Sequence, residues 1–75
     1  MVAVVVYVGR GCHLCDAAVE AVRDVCGEDF VVVDITDDTE LESTYRERIP
    51  VVEVNGRALF SYFVHREALR AAIGA

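Results

Sequence analysis

The stretch YVGRGCHLCDAAVEAV, residues 7–22, runs an apolar segment into a glycine-flanked turn and then sets two cysteines, Cys12 and Cys15, three positions apart. Upstream, Val2–Val8 is unbroken apolar and rich in β-branched residues, the pattern of a central strand buried on both faces. Gly9, Arg10 and Gly11 supply a flexible turn. From Cys12 to Cys26 the spacing is helical: Cys15, Val19, Val22 and Cys26 share one face, Glu20, Arg23 and Asp24 the other. Gly27 is placed to cap the helix end. A strand entering a helix through such a turn opens a β-α-β unit, and the two thiols sit at its bend.

Outward from this bend, FVVVDI (residues 30–35) is a second short β-branched run and reads as another buried strand. In DDTELESTYRERIP (residues 37–50), Asp37 followed three places later by Glu40 has the layout of a capping box. Leu41 and Tyr45 share a face, and this short helix must stop before Pro50. VVEV (51–54), Asn55-Gly56 and RALFSYF (57–63) read as a hairpin, Asn-Gly being the strongest two-residue hairpin signal. HREALRAAIG (65–74) is helical, with Leu69 and Ile73 four apart and Gly74 at its end. The order is β-α-β-α-β-β-α, with no linker, repeat or low-complexity tract, so residues 1–75 are read as a single domain. A right-handed crossover and a hairpin then predict an α/β fold: a four-stranded mixed sheet with helices on both faces. This layout resembles the thioredoxin fold in its smallest form.

Composition narrows the function classes. A chain of 75 residues buries only ~60% of its unfolded surface, yet 55% of these residues are hydrophobic, enough for an autonomous core. A net charge of −6 argues against a nucleic-acid or anionic-membrane partner, because such contacts need clustered cations. Every strong cation is an arginine, so no lysine tunes the thiols. MVAVVVYV at the start is too short for a membrane span and lacks the layout of a signal peptide. Three cysteines do not suit a secreted disulfide scaffold, and a reducing, cytosolic setting is expected.

The thiol pair carries the chemistry. Positions i and i+3 of a first helical turn are neighbours, close enough for a disulfide where the turn allows it. Cys12 falls at or next to the N-cap, where unpaired N–H groups and the positive end of the helix dipole favour a thiolate. Thiols so placed have pKa values of roughly 3.5–7.5 in place of ~8.5, which makes Cys12 the nucleophile. Cys15, one turn deeper on the buried face, is the protonated, resolving thiol. Between a strand and a helix, Cys-x-x-Cys points to redox chemistry. Metal binding and a purely structural pair are the alternatives. Structural zinc takes four ligands, and the further candidates are His13, Cys26 and His65.

Taken together, VVVYVGRGCHLCDAA, VVVDITDD, YRERIPVVEVNGR and the final helix resemble the small glutaredoxin-like proteins of the thioredoxin superfamily, over nearly the whole chain. The resemblance implies a thiol-disulfide oxidoreductase cycling between the Cys12/Cys15 dithiol and its redox-active disulfide, with no metal and no bound cofactor. It implies a cis Pro50 beside the thiols and an Ile49 whose backbone pairs with a disulfide substrate, so that Ile49 and Pro50 line the substrate site. Arg10 is the cation near Cys12, although the family's cation precedes the first cysteine by three places, where this chain has Gly9. The family's glutathione-binding Gly-Gly-x-Asp is replaced by FSYFVHRE, Leu14 stands where an aromatic residue is often found, and tryptophan is absent. The expected partners are therefore a disulfide-containing protein or small thiol substrate and a thioredoxin-reductase-type donor in preference to glutathione. The protein itself is expected to be a monomer. A thioredoxin-fold adaptor or metal-handling module binding through the cysteine pair is the reading from another class.

Other residues carry weaker signals. A cationic His13 beside Cys12 would stabilise the thiolate and make the disulfide more oxidising, or it is a solvated turn residue. Cys26 reads as a packed thiol and His65 as a helix-start residue. Tyr7 matches a strand-end aromatic of the family, though packing explains it equally. Asp34 is either a proton relay for Cys15 or a solvated charge.

Overall fold

The computed structural model describes residues 3–74. Met1 and Val2, read above as the start of the first strand, lie outside the described residues, as does Ala75. Seven elements follow one another: β1 (Val4–Val8), α1 (His13–Cys26), β2 (Val31–Asp34), α2 (Thr39–Tyr45), β3 (Val51–Val54), β4 (Arg57–Ser61) and α3 (Arg66–Ile73). The sheet order is β2-β1-β3-β4. β1 and β2 run parallel, from Val5 opposite Val31 to Val8 opposite Asp34, with α1 as their crossover. β3 is antiparallel to both β1 and β4. This is the thioredoxin-like arrangement, a mixed α/β sheet.

Strand alternation divides the sheet into two faces. Val4 and Val6 of β1 pair with Val54 and Val52 of β3, and these four pack with Val22 of α1 and Leu69 of α3 as the core. Val22 and Leu69 are completely buried, and such side chains contribute about 1.5–3 kcal/mol each. On the opposite face Tyr7 of β1 stacks on Tyr45 of α2. Helices therefore cover both faces, α1 and α3 on one and α2 on the other. Among the described residues no helix is long and apolar enough to cross a membrane.

The hairpin turn has the backbone its sequence demands, with φ of 52° at Asn55 and 83° at Gly56, both in the left-handed region. Asn55 also ties down the chain start: its N–H donates to the Ala3 carbonyl at 2.7 Å, and its Oδ1 accepts from the Ala3 N–H at 2.9 Å.

Three expectations need correction. β2 is an edge strand and not a buried one, with Val31 and Val32 57% and 45% exposed. A short β-branched run has the same pattern at an edge as at the centre. The cap of α2 is Asp38, whose carboxylate accepts from the Leu41 N–H at 3.0 Å. The preceding turn closes through Asp38 N–H to the Ile35 carbonyl, which leaves Asp37 inside the turn and shifts the cap one residue on. β4 ends at Ser61 because Tyr62 takes φ of 71° and donates its N–H to the Pro50 carbonyl. The expected face of α1 holds: Cys15 and Val22 are buried, and Val19 and Cys26 pack half-buried against the core, with Ala18 and Ala21 buried beside them.

Candidate active site

β1 delivers the chain to the bend, and α1 begins immediately after Cys12. Cys12 is the N-cap in extended conformation, and its Sγ accepts from the Cys15 N–H at 3.2 Å. Sulfur here takes the place that Ser or Asp oxygen fills at most helix starts, so a backbone donor points at the candidate nucleophile. Cys12 and Cys15 are joined as a disulfide, with Cα atoms 5.3 Å apart. Cys15 is buried and Cys12 half-buried, so the bridge has one accessible sulfur end. An open cleft of about 290 Å³ runs along the bridge, lined by Val8, Gly9, Gly11, Cys12, His13, Cys15, Asp16 and Val19. His13, the first residue of α1, is exposed.

The register of β1 against β3, Tyr7 opposite Val51, brings Pro50 to the same end of the sheet as the Gly9–Gly11 turn. The Ile49–Pro50 peptide is cis, and Pro50 is fully buried. Ile49 reaches the turn directly: a Cβ placed on Gly9 would lie 2.5 Å from Ile49 Cδ1. Gly9 is thus a position of close approach, which accounts for the missing side chain three places before Cys12. The Ile49 backbone is half engaged already. Its N–H donates to the Tyr45 carbonyl at 3.1 Å, and its own carbonyl accepts no hydrogen bond among the described residues. Arg10 is exposed and anchored by its backbone N–H to Thr36 Oγ1 at 3.1 Å. A second cleft, about 220 Å³, lies between Gly9, Arg10, Ile35, Thr36, Glu42, Arg46 and Ile49.

The matched glutaredoxin-like domain model (DUF836) covers residues 3–74. The chain belongs to the glutaredoxin-like family. Among solved structures it is similar to the protein XcR50 of X. campestris, with 39% identity, 95% of each chain covered and a TM-score of 0.81 for the X-ray structure. The solution structure of XcR50 gives a TM-score of 0.78 over 95% of this chain and 91% of that one, again at 39% identity. Protein Ne2328 of Nitrosomonas europaea is 26% identical, with a TM-score of 0.72, 95% of this chain and 89% of that one being covered. A comparison with curated proteins finds no significant match. Membership of the glutaredoxin-like family and the thioredoxin-like fold support a redox-related role.

Within this glutaredoxin-like domain, Cys12, His13 and Cys15 share one cleft, and Arg10 and Ile49 line the other. Asp34 is not among the residues of the thiol cleft. It is exposed, and its carboxylate accepts from the Thr36 N–H at 2.8 Å. The Thr36 hydroxyl first, then that N–H bond, aided by the Arg10 charge, hold its pKa below the usual carboxylate value. Cys26 packs against the core, and burial, with Asp29 adding to it, pushes its thiol pKa up. His65 is the N-cap of α3 and makes no side-chain cap bond. Among the described residues no three His, Cys, Asp or Glu side chains come together as a metal-ligand set.

The polar group that sequence reasoning missed lies behind the site. Glu53 accepts from the Tyr7 hydroxyl at 3.2 Å and from the Tyr45 hydroxyl at 2.7 Å. The Tyr45 phenol is pushed up to about 12, first by its bond to Glu53 and then by burial. Burial raises Tyr7, with the Glu53 charge adding to it. A signal was present, a lone carboxylate inside the apolar VVEV strand.

Proposed function

We propose that this protein is a thiol-disulfide oxidoreductase working through Cys12 and Cys15. The observation that carries the reading is the N-cap thiol: Cys12 Sγ sits at the start of α1 and receives the Cys15 N–H. In the reduced protein the same N–H and the helix dipole stabilise a Cys12 thiolate at neutral pH. The thiolate attacks one sulfur of a substrate disulfide, forming a mixed disulfide and expelling the other substrate sulfur as a thiolate, which takes up a proton. Cys15 then loses its proton and attacks Cys12 Sγ. The second substrate thiol leaves, and the Cys12–Cys15 bridge remains. Two electrons and two protons pass to the substrate, and a dithiol donor returns them to the protein.

The division of labour is tested by replacing each cysteine and following reduction of a cystine-bridged peptide. Cys12→Ser abolishes turnover. Cys15→Ser halts at a mixed disulfide, detected as a mass increase confined to the peptide containing Cys12. Cys26→Ala keeps turnover, with a loss of roughly 1 kcal/mol in stability from the missing packing. Loss of turnover in folded Cys26→Ala, or a trapped adduct on Cys15, sinks the assignment.

A further inference from the structure

The cleft along the Cys12–Cys15 bridge is chemically sparse, and one group on its wall takes no part in the exchange reaction itself. Val8 from β1 and Val19 from α1, both half-buried, supply its apolar wall, and Gly9 and Gly11 add no side chain. Besides the cysteines, two ionisable side chains line it, His13 and Asp16. An imidazole is either neutral or positive, so negative charge beside the nucleophile comes from the Asp16 carboxylate alone. Asp16 lies four residues after Cys12, the N-cap of α1, and side chains at that spacing are neighbours on one side of a helix. It is exposed, and among the described residues it joins none of the ion pairs. No arginine among the described residues lines this cleft; Arg10 stands in the other one, where its charge acts on Asp34. The Asp16 charge is therefore left unneutralised beside the reactive sulfur.

We propose that Asp16 is a specificity-determining residue that favours disulfides carrying a positive charge next to their sulfurs, whether an aminoalkyl disulfide or a cystine beside a basic residue. The proposal rests on the thiol-disulfide reading above and adds the charge of the substrate. Cys12 is the accessible end of the bridge, so an incoming disulfide brings its flanking groups over the first turn of α1, where Asp16 stands. A unit charge about 6 Å from a carboxylate that faces water gains or loses about threefold in rate. A cation gains this factor and an anion loses it, so Asp16 separates the two by about tenfold. The net charge of −6 acts in the same direction from further away, where salt screens it more completely.

The test follows closure of the Cys12–Cys15 bridge in the reduced protein at low salt, with excess disulfide and no reductase present. Cystamine, bis(hydroxyethyl) disulfide and dithiodipropionate are the cationic, neutral and anionic small substrates. Two cystine-bridged peptides, alike except for a Lys or a Glu beside the cysteine, represent the protein source of the same chemistry. Each rate is compared between the parent and Asp16→Asn, which cancels the intrinsic reactivity of each disulfide. The neutral disulfide and iodoacetamide, itself uncharged, register any change in the Cys12 thiol. The expected result is a cationic-to-anionic rate ratio about tenfold lower in Asp16→Asn, with Asp16→Glu keeping most of the parent ratio. Added salt narrows the difference. A shift confined to the small set identifies an aminoalkyl substrate, and one confined to the peptides a basic protein; either supports the role. An unchanged ratio in both sets overturns it. So does an equal fall on all five disulfides, which a carboxylate serving only to stabilise the helix start would give. If the parent bridge is not closed even by the neutral disulfide, the redox reading falls, and the selectivity with it.

Discussion

Tyr45 is the residue whose ionisation the structure alters most plainly, and the direction has a consequence for stability. Its ordinary value is 10.0, and in the folded protein it is pushed up to about 12 because the phenol proton is the one shared with Glu53. A folded-state value above the unfolded one means that the stabilising contribution is complete below pH 10 and is lost as pH rises through about 12. Across that window the unfolded chain has shed the proton and the folded chain still holds it. Urea midpoints should therefore be level from neutral pH towards 10 and decline above it, with a shallower decline in Tyr45→Phe. Absorbance of the phenolate, followed in the folded protein, should show a late-titrating tyrosine that this substitution removes. A Tyr45→Phe protein with the parent's alkaline slope would move the effect to another group. Glycine at position 9 is the other residue-scale decision. Because Ile49 Cδ1 occupies the space of its missing Cβ, the site has close packing at the place where a cation is expected.

Among the elements, α2 is the least secured and the most consequential, since it fixes the approach to Pro50. It has seven residues, is too short to persist by its own propensity, and is started by the Asp38 carboxylate on the Leu41 N–H. Asp38→Ala should cost about 1 kcal/mol, the usual worth of such a cap. For a domain of this size that lowers Tm by about 4–8 °C. Differential scanning calorimetry reads the shift directly, and an unchanged Tm would mean that the half-buried Leu41 and Tyr45 hold the helix without the cap. The elements also show what the sequence made legible. The Asn55-Gly56 hairpin, the Cys12 helix start and the central β1, buried on one face and half-buried on the other, were readable because turn chemistry and an unbroken valine run each admit few conformations. The edge position of β2 was not, since Val31–Val33 carries the same apolar run whether one neighbour pairs with it or two. The Asp37/Asp38 ambiguity came from two adjacent carboxylates of equal capping ability, decided only by the Ile35–Asp38 turn. The Tyr7–Glu53–Tyr45 cluster joins residues up to 46 positions apart in the chain, a distance that no local pattern spans. The cysteine pair was legible as a bridgeable pair at a helix start because i, i+3 spacing is a local fact.

On the scale of the whole molecule, the charge distribution leads to a prediction about the reductant of the proposed oxidoreductase. The chain carries a net charge of −6, and Arg23, Arg46, Arg66 and Arg70 are each drawn to a carboxylate of their own surface. Arg10 makes none of these close ion pairs among the described residues, although its charge acts on the Asp34 carboxylate, and it stands beside the site on the glycine-flanked turn. Asp16 meanwhile lines the cleft along the disulfide. Glutathione brings a carboxylate at each end. In the region where a Gly-Gly-x-Asp helix start is expected of a glutathione-using glutaredoxin, this chain has Tyr62 and Phe63, 46% and 66% exposed, followed by a His65 that makes no cap bond. Charge-assisted contacts are worth about 1.5–3 kcal/mol each, so the loss of one or two weakens binding by about one to four orders of magnitude. A protein dithiol needs no such anion site, because it docks over a wide surface and its net affinity is spread among many contacts. Oxidised protein should accordingly be reduced slowly by glutathione and faster by a dithiol donor of the thioredoxin-reductase type. NADPH consumption with each purified reductase system, run in parallel on one disulfide substrate, measures the ratio. Added salt should narrow the gap by screening Asp16 and the surrounding acidic surface. Efficient turnover with glutathione and its reductase at low salt would show that Arg10 suffices to hold the tripeptide, and would overturn the preference for a protein dithiol.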